Sequence, residues 1–218
     1  MNYPVDDLLA SFKKLSVNQS QKHGFDFENE IRVKVFDLPE EKNDTNKHDI
    51  PCEKNKFDKN ETISIKITKS LDGVECGDII RFFDYDFTKK NTIIVGKYKQ
   101  INQYTKKIYE IVEIDYNEKF HKFLFGTVTK EILEDYVKIV KAIPSGKVTD
   151  KTYLTEKKEL QKKHDMNLII HPKVDSKNQR RVQCSIQKIP EEFIVYKGDL
   201  VRGVEINKNI NSGVRKRN

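Results

Sequence analysis

The sequence predicts an α/β (α+β) fold, a central mixed sheet flanked by helices, with a basic C-terminal extension that contains β-strands. Three observations predict it. Residues 62–68 alternate strictly between polar and apolar side chains, the period of a strand with one face in a core. Phe27, Ile31 and Val35 recur at helical spacing, as do Ile132, Leu133, Tyr136, Val137 and Val140. Between these helices lie two further strand-like runs, 91–100 and 106–116, joined by a polar segment around Asn102 to Thr105.

Taken in order, residues 5–15 read as a short helix with Leu8, Leu9 and Phe12 on one side. A helix of about three turns is read within residues 23–39 and stops at Pro39, because proline cannot continue the hydrogen-bond ladder. Residues 40–56 are almost free of apolar side chains and read as an exposed loop. Asp58 and Lys59 are expected on a strand joined by a tight connection to the next one. In that next strand Ile63, Ile65 and Ile67 face the core, while Thr62, Ser64, Lys66 and Thr68 face something wet. After the Asp72-Gly73 turn, residues 74–87 are short and bulky and read as a helical turn or two starting near Gly77. Residues 129–143 form a second long helix expected to cover the sheet. The charged tract 151–165 reads as a helix, and 167–190 as two strands flanking a basic loop. The organisation expected is a core over 1–146 and a basic extension over 147–218, packed on the same domain.

Composition narrows the class. With 36% hydrophobic and 34% charged residues and no apolar run of spanning length, a membrane-spanning chain is excluded. The start, MNYPVDDLLASFKK, is acidic before its apolar patch, the reverse of a secretory signal, so an intracellular protein is expected. Cys52, Cys76 and Cys184 are too few and too scattered for a disulfide framework or zinc knuckles, and the five histidines show no metal-ligand spacing. The formal charge is +7, and residues 147–218 hold 17 Lys and Arg against 9 Asp and Glu, an excess of eight. A basic lobe beside a neutral one suits a polyanionic partner.

Hydrolysis of a phosphodiester with a divalent ion needs carboxylates for the metal and a cation near the attacking water. On a strand, residues i and i+2 point the same way, so an acid-x-lysine triplet puts both groups into one cleft. Asp58 followed by Ile63-Ser64-Ile65-Lys66 resembles the PD-(D/E)xK nuclease signature. Phe57 stands where that signature prefers proline, and Ser64 where it prefers an acid. The SxK form is similar to a subset of restriction endonucleases in which the missing acid comes from a neighbouring helix. Residues 24–84 and 168–188 together resemble restriction-endonuclease-like proteins of large DNA viruses and bacteria.

The resemblance implies a restriction-endonuclease-like core and a Mg²⁺-dependent DNA endonuclease, cytoplasmic, or in a host cell if viral. Asp58 would bind Mg²⁺ and Lys66 would support the water, with Ser64 between them. Glu28 or Asp78 would complete the metal site. Each residue also has a plainer reading. Asp58 suits a turn, Ser64 and Lys66 an ordinary solvated strand face, Glu28 an i,i+4 partner for Arg32, and Asp78 a helix N-cap. Arg81, Lys173, Lys177, Gln179, Arg180, Arg181 and Gln183 supply cations and amides able to grip phosphates and read base edges. Double-stranded DNA is the expected partner, with a homodimer expected so that each subunit cuts one strand. The alternative is a nucleic-acid-binding protein of the same fold that does not cut.

Overall fold

The structure, a computed structural model, describes residues 22–41, 48–69, 73–102, 104–146, 149–175 and 178–211. The helix expected over 5–15 and the last residues of the basic extension, 212–218, lie outside these residues. Helix α1 (Lys22–Phe36) places Phe27, Ile31 and Val35 fully out of solvent, as their spacing predicts. It packs against Ile63 and Ile65 of strand β1 (Glu61–Thr68) and Ile94 of β3 (Lys90–Gln100). Gly96 permits this close approach, since a Cβ there would stand 2.5 Å from the Phe27 ring.

Two sheets share the molecule. The larger runs β1-β3-β4-β7, with β4 spanning Thr105–Asp115 and β7 Ile194–Gly198, and β8 (Asn209–Asn211) also pairs with β4. It is mixed, because β1 lies parallel to β3 while β3-β4 and β4-β7 are antiparallel. The smaller sheet is antiparallel, in the order β2-β6-β5, from Val74–Asp78, Arg180–Ile186 and Leu168–Val174. One core lies between the sheets and takes in helices α2 (Glu118–Phe125) and α3 (Lys130–Ala142). The other lies under α1 on the opposite face of the larger sheet. Helix α4 (Thr152–Lys163) packs against β5 and α3. No helix among the described residues is long and apolar enough to cross a membrane.

The described residues thus form a mixed sheet flanked by four helices, as the alternation and helical spacing predict. Several local expectations change. Among the described residues no strand precedes β1: Asn55 Oδ1 accepts from the N–H groups of Phe57 and Asp58 and winds that segment into a turn. Residues 74–78 are a strand rather than the start of a helix, and only residues 80–84 form a short 3₁₀ turn. Helix α3 caps itself with Thr129 and leans on β6 of the smaller sheet. Residue 146 marks no boundary between cores, because β7 and β8 extend the larger sheet and β5 and β6 form most of the smaller one.

The 40–56 segment is not wholly an exposed loop. Ile50 is fully buried and exchanges two backbone hydrogen bonds with Ile63, of 2.9 and 3.0 Å, along the outer edge of β1. An open edge strand leaves a row of unpaired N–H and C=O groups, and this bridge satisfies part of that row.

Candidate active site

The next outward N–H along the β1 edge, that of Ile65, donates to the Asp49 carboxylate. Asp49 is held there by Arg32 of α1, whose guanidinium donates to the Asp49 carbonyl. Arg32 is itself 1% exposed and pairs with Glu41 at 2.7 Å, so the buried cation ties α1 to both ends of the loop. Asp49 Oδ2 also lies 3.3 Å from Lys66 Nζ, which donates in addition to the Ile65 carbonyl at 2.9 Å.

A cleft of about 240 Å³ opens at this edge, between α1 and the Gly77–Tyr85 segment. Glu28, Asp49, Ser64, Lys66, Asp78 and Arg81 all line it. Lys66 reaches it because Ser64 and Lys66 share one face of β1, as the alternation predicts. That face is covered rather than open: Ser64 is 5% exposed, and its hydroxyl lies 3.2 Å from the hydroxyl of Tyr85.

Burial raises the Glu28 carboxyl to a pKa of about 7, and the negative charge of Asp49 pushes the same way. Lys66 and Arg32 pull it back only in part. Burial on its own would lower the Lys66 ammonium, yet the charge of Asp49 leads the effects that leave it raised, so it stays protonated. Burial likewise pushes the Cys76 thiol, also in the cleft wall, up to about 12, which leaves it a packed thiol and no nucleophile. The cleft therefore combines the carboxyl groups of Glu28, Asp49 and Asp78, the first poised near neutrality, with the Lys66 ammonium, the Arg81 guanidinium and a pair of hydroxyls.

Asp58 is not part of this group. It is exposed, its Oδ1 accepts from Asn60 N at 2.8 Å, and it stands three residues before the first residue of β1. The strand from Glu61 to Ser64 alone covers about 10 Å. The turn reading describes its position, and Asp49 occupies the place beside Lys66 that was expected of Asp58. Asp78 lines the cleft, and its Oδ1 accepts from Ile80 N at 2.9 Å, a local turn bond just before the 3₁₀ segment, whose N-cap position is Ile79.

The basic segment divides. Arg180 is spent on backbone carbonyls of Ile143, Pro144, Asp175 and Gln179, so it fastens the β5–β6 connection to the end of α3 and is not a loose phosphate clamp. Lys173 and Arg181 stand opposite each other on β5 and β6, with Arg181 exposed. Gln183 pairs with Asp78 across β2 and β6, which brings the outer face of the smaller sheet to the cleft rim. Gln179 is exposed, and Lys177 lies outside the described residues.

Sequence reading missed Asp49 and Tyr85. The available signal for Asp49 was Ile50, a lone aliphatic residue in a polar tract followed by Pro51, which marks a point where the loop touches a core. No protein family, curated protein or solved structure matches this chain.

Proposed function

We propose that the protein is a Mg²⁺-dependent DNA endonuclease of the PD-(D/E)xK kind, with Glu28 and Asp49 as its metal-binding carboxylates. The observation that carries this reading is the convergence of those two acids on Lys66 in one cleft at the edge of a mixed sheet. Among the described residues no group of three or more His, Cys, Asp and Glu stands ready to hold a metal. Two carboxylates nevertheless fit Mg²⁺, which keeps several waters and needs few protein oxygens. The repulsion that raises Glu28 also fits, because a divalent cation between two carboxylates offsets it.

Bound there, Mg²⁺ supplies Lewis acidity and a more acidic water. Asp49 holds the Lys66 ammonium in place, and Lys66 orients the attacking water and balances the developing phosphorane charge. The Ser64 and Tyr85 hydroxyls donate toward the phosphate or its waters from the floor of the cleft. Arg81 in the cleft wall, with Gln183, Lys173 and Arg181 beyond, offers a path for the duplex backbone.

Incubation with plasmid DNA and Mg²⁺ tests the reading, beside Lys66→Ala and Asp49→Asn. Nicking or linearisation by the wild type and not by either variant supports it. The serine at position 64, where an acid is expected, favours a second reading, a nucleic-acid-binding protein that does not cut. Retained DNA binding with no cleavage by any form would leave that second reading standing.

A further inference from the structure

Past Lys66 the same face of the larger sheet continues into the β3–β4 hairpin, and its chemistry changes. Lys66 is in register with Val95, so Lys97 and Lys99, two and four residues further along β3, point to the same side. Lys99 is thus about 13 Å along the strand from the cleft lysine. Lys107 stands directly opposite Lys99 on β4. The register shift between Lys97 and Tyr98 inserts Tyr109 as the extra residue of β4, and its ring lies 5.3 Å from Lys97 Nζ and 5.0 Å from Lys99 Nζ.

Two features of this face are costly without an occupant. Like charges directly opposite each other on neighbouring strands repel, and among the described residues Lys99 and Lys107 have no acidic partner. Glu110 engages Lys97 at 2.6 Å. Tyr109 is also 41% exposed, and the hairpin end adds Ile101 at 57% and Tyr104 at 54%. Exposed rings interleaved with cations suit a strand whose bases are free to stack while its phosphates take up the charge.

We propose that this face of the β3–β4 hairpin is a platform for single-stranded nucleic acid, with bases stacking on Tyr109 and phosphates held by Lys99 and Lys107. A duplex hides its base faces and cannot use the ring, so the platform selects unpaired segments. Binding here does not depend on the cleft being catalytic. If the cleft cuts, the platform lies within a few nucleotides of it and presents a single-stranded or frayed portion of the substrate.

The test is fluorescence anisotropy with labelled oligothymidylate and with a duplex of equal length, in EDTA so that nothing is cleaved. Tyr109→Ala is expected to weaken oligothymidylate binding by about five- to a hundredfold and to leave duplex binding unchanged, while Tyr109→Phe binds like the wild type. Lys99→Glu is expected to weaken oligothymidylate binding and reduce the slope of log affinity against log salt by about 1 or more. Glu28→Gln, a cleft change, is expected to bind oligothymidylate normally, which separates the platform from the nuclease reading. Circular dichroism and thermal melting confirm that each variant is folded. Oligothymidylate binding that is unchanged in folded Tyr109→Ala, or lost in Glu28→Gln, would overturn the proposal. So would competition by polyglutamate as strong as that by unlabelled oligothymidylate, which would assign the face to an acidic protein segment.

Discussion

Replacing Glu28 by Gln tests the electrostatics of the cleft without relying on any activity. The side chain keeps its size and loses its ionisation. In the folded protein the carboxyl titrates at about 7 against 4.5 when unperturbed, because burial and the charge of Asp49 disfavour the anion. A group raised on folding contributes stability that is complete below the unfolded pKa and is lost as pH rises through the folded one. The full shift corresponds to about 2 kcal/mol between pH 5.5 and 8.5, and solvent screening of this partly exposed carboxyl brings it to about 1 kcal/mol, which the wild type should lose and Glu28→Gln should not. Urea unfolding in EDTA at those two pH values measures the difference. Glu28→Gln should gain on the wild type by about 1 kcal/mol as pH rises, and saturating Mg²⁺ at pH 8.5 should narrow the gap by stabilising the wild type alone. A stability difference that is flat across this range would refute the argument that Glu28 and Asp49 share a half-buried, mutually repelling site.

Other outcomes follow from single contacts. Asp49→Asn keeps an oxygen for the Ile65 N–H but removes the charge beside Lys66, so it should leave the fold intact while plasmid cleavage falls by about a hundredfold or more; Asp58→Ala should leave cleavage unchanged and cost about 1 kcal/mol or less, the scale of one exposed turn hydrogen bond. Arg180→Ala should lower the melting temperature through the four carbonyls it abandons, about 2 kcal/mol in chemical denaturation, with DNA affinity nearly unchanged in filter binding. Arg202→Met should be more damaging. Glu61, fully buried, accepts from Arg202 at 2.7 Å and Lys90 at 3.0 Å, and Arg202 also meets buried Glu113 at 3.1 Å. Removing the guanidinium leaves two buried acids short of a partner, a loss of about 3–5 kcal/mol by urea titration.

The sequence by itself determined those elements whose signal is local. The alternation of Ile63, Ile65 and Ile67 with Ser64 and Lys66 defines β1, and it puts Ser64 and Lys66 on one face however the chain folds. The spacing of Phe27, Ile31 and Val35 defines α1 and leaves Glu28 on its flank. Tertiary structure decided everything that depends on partners distant along the chain. Ser64 looked solvated because hydroxyls usually are, and it is covered because Tyr85 folds over it. Strands β1 and β2 are neighbours in sequence yet belong to different sheets, a choice made by the pairing of β2 with β6 more than a hundred residues later. Short β7 and β8 carry too few residues for a period and exist because β4 offers them an edge. The acid beside Lys66 is the sharpest case. Asp58 is nearer in sequence, but its own turn hydrogen bonds keep it away. Asp49 sits 17 residues before Lys66, and it is brought there by the Ile50–Ile63 bridge and by Arg32, long-range contacts whose one local trace is the lone aliphatic Ile50 in its polar tract.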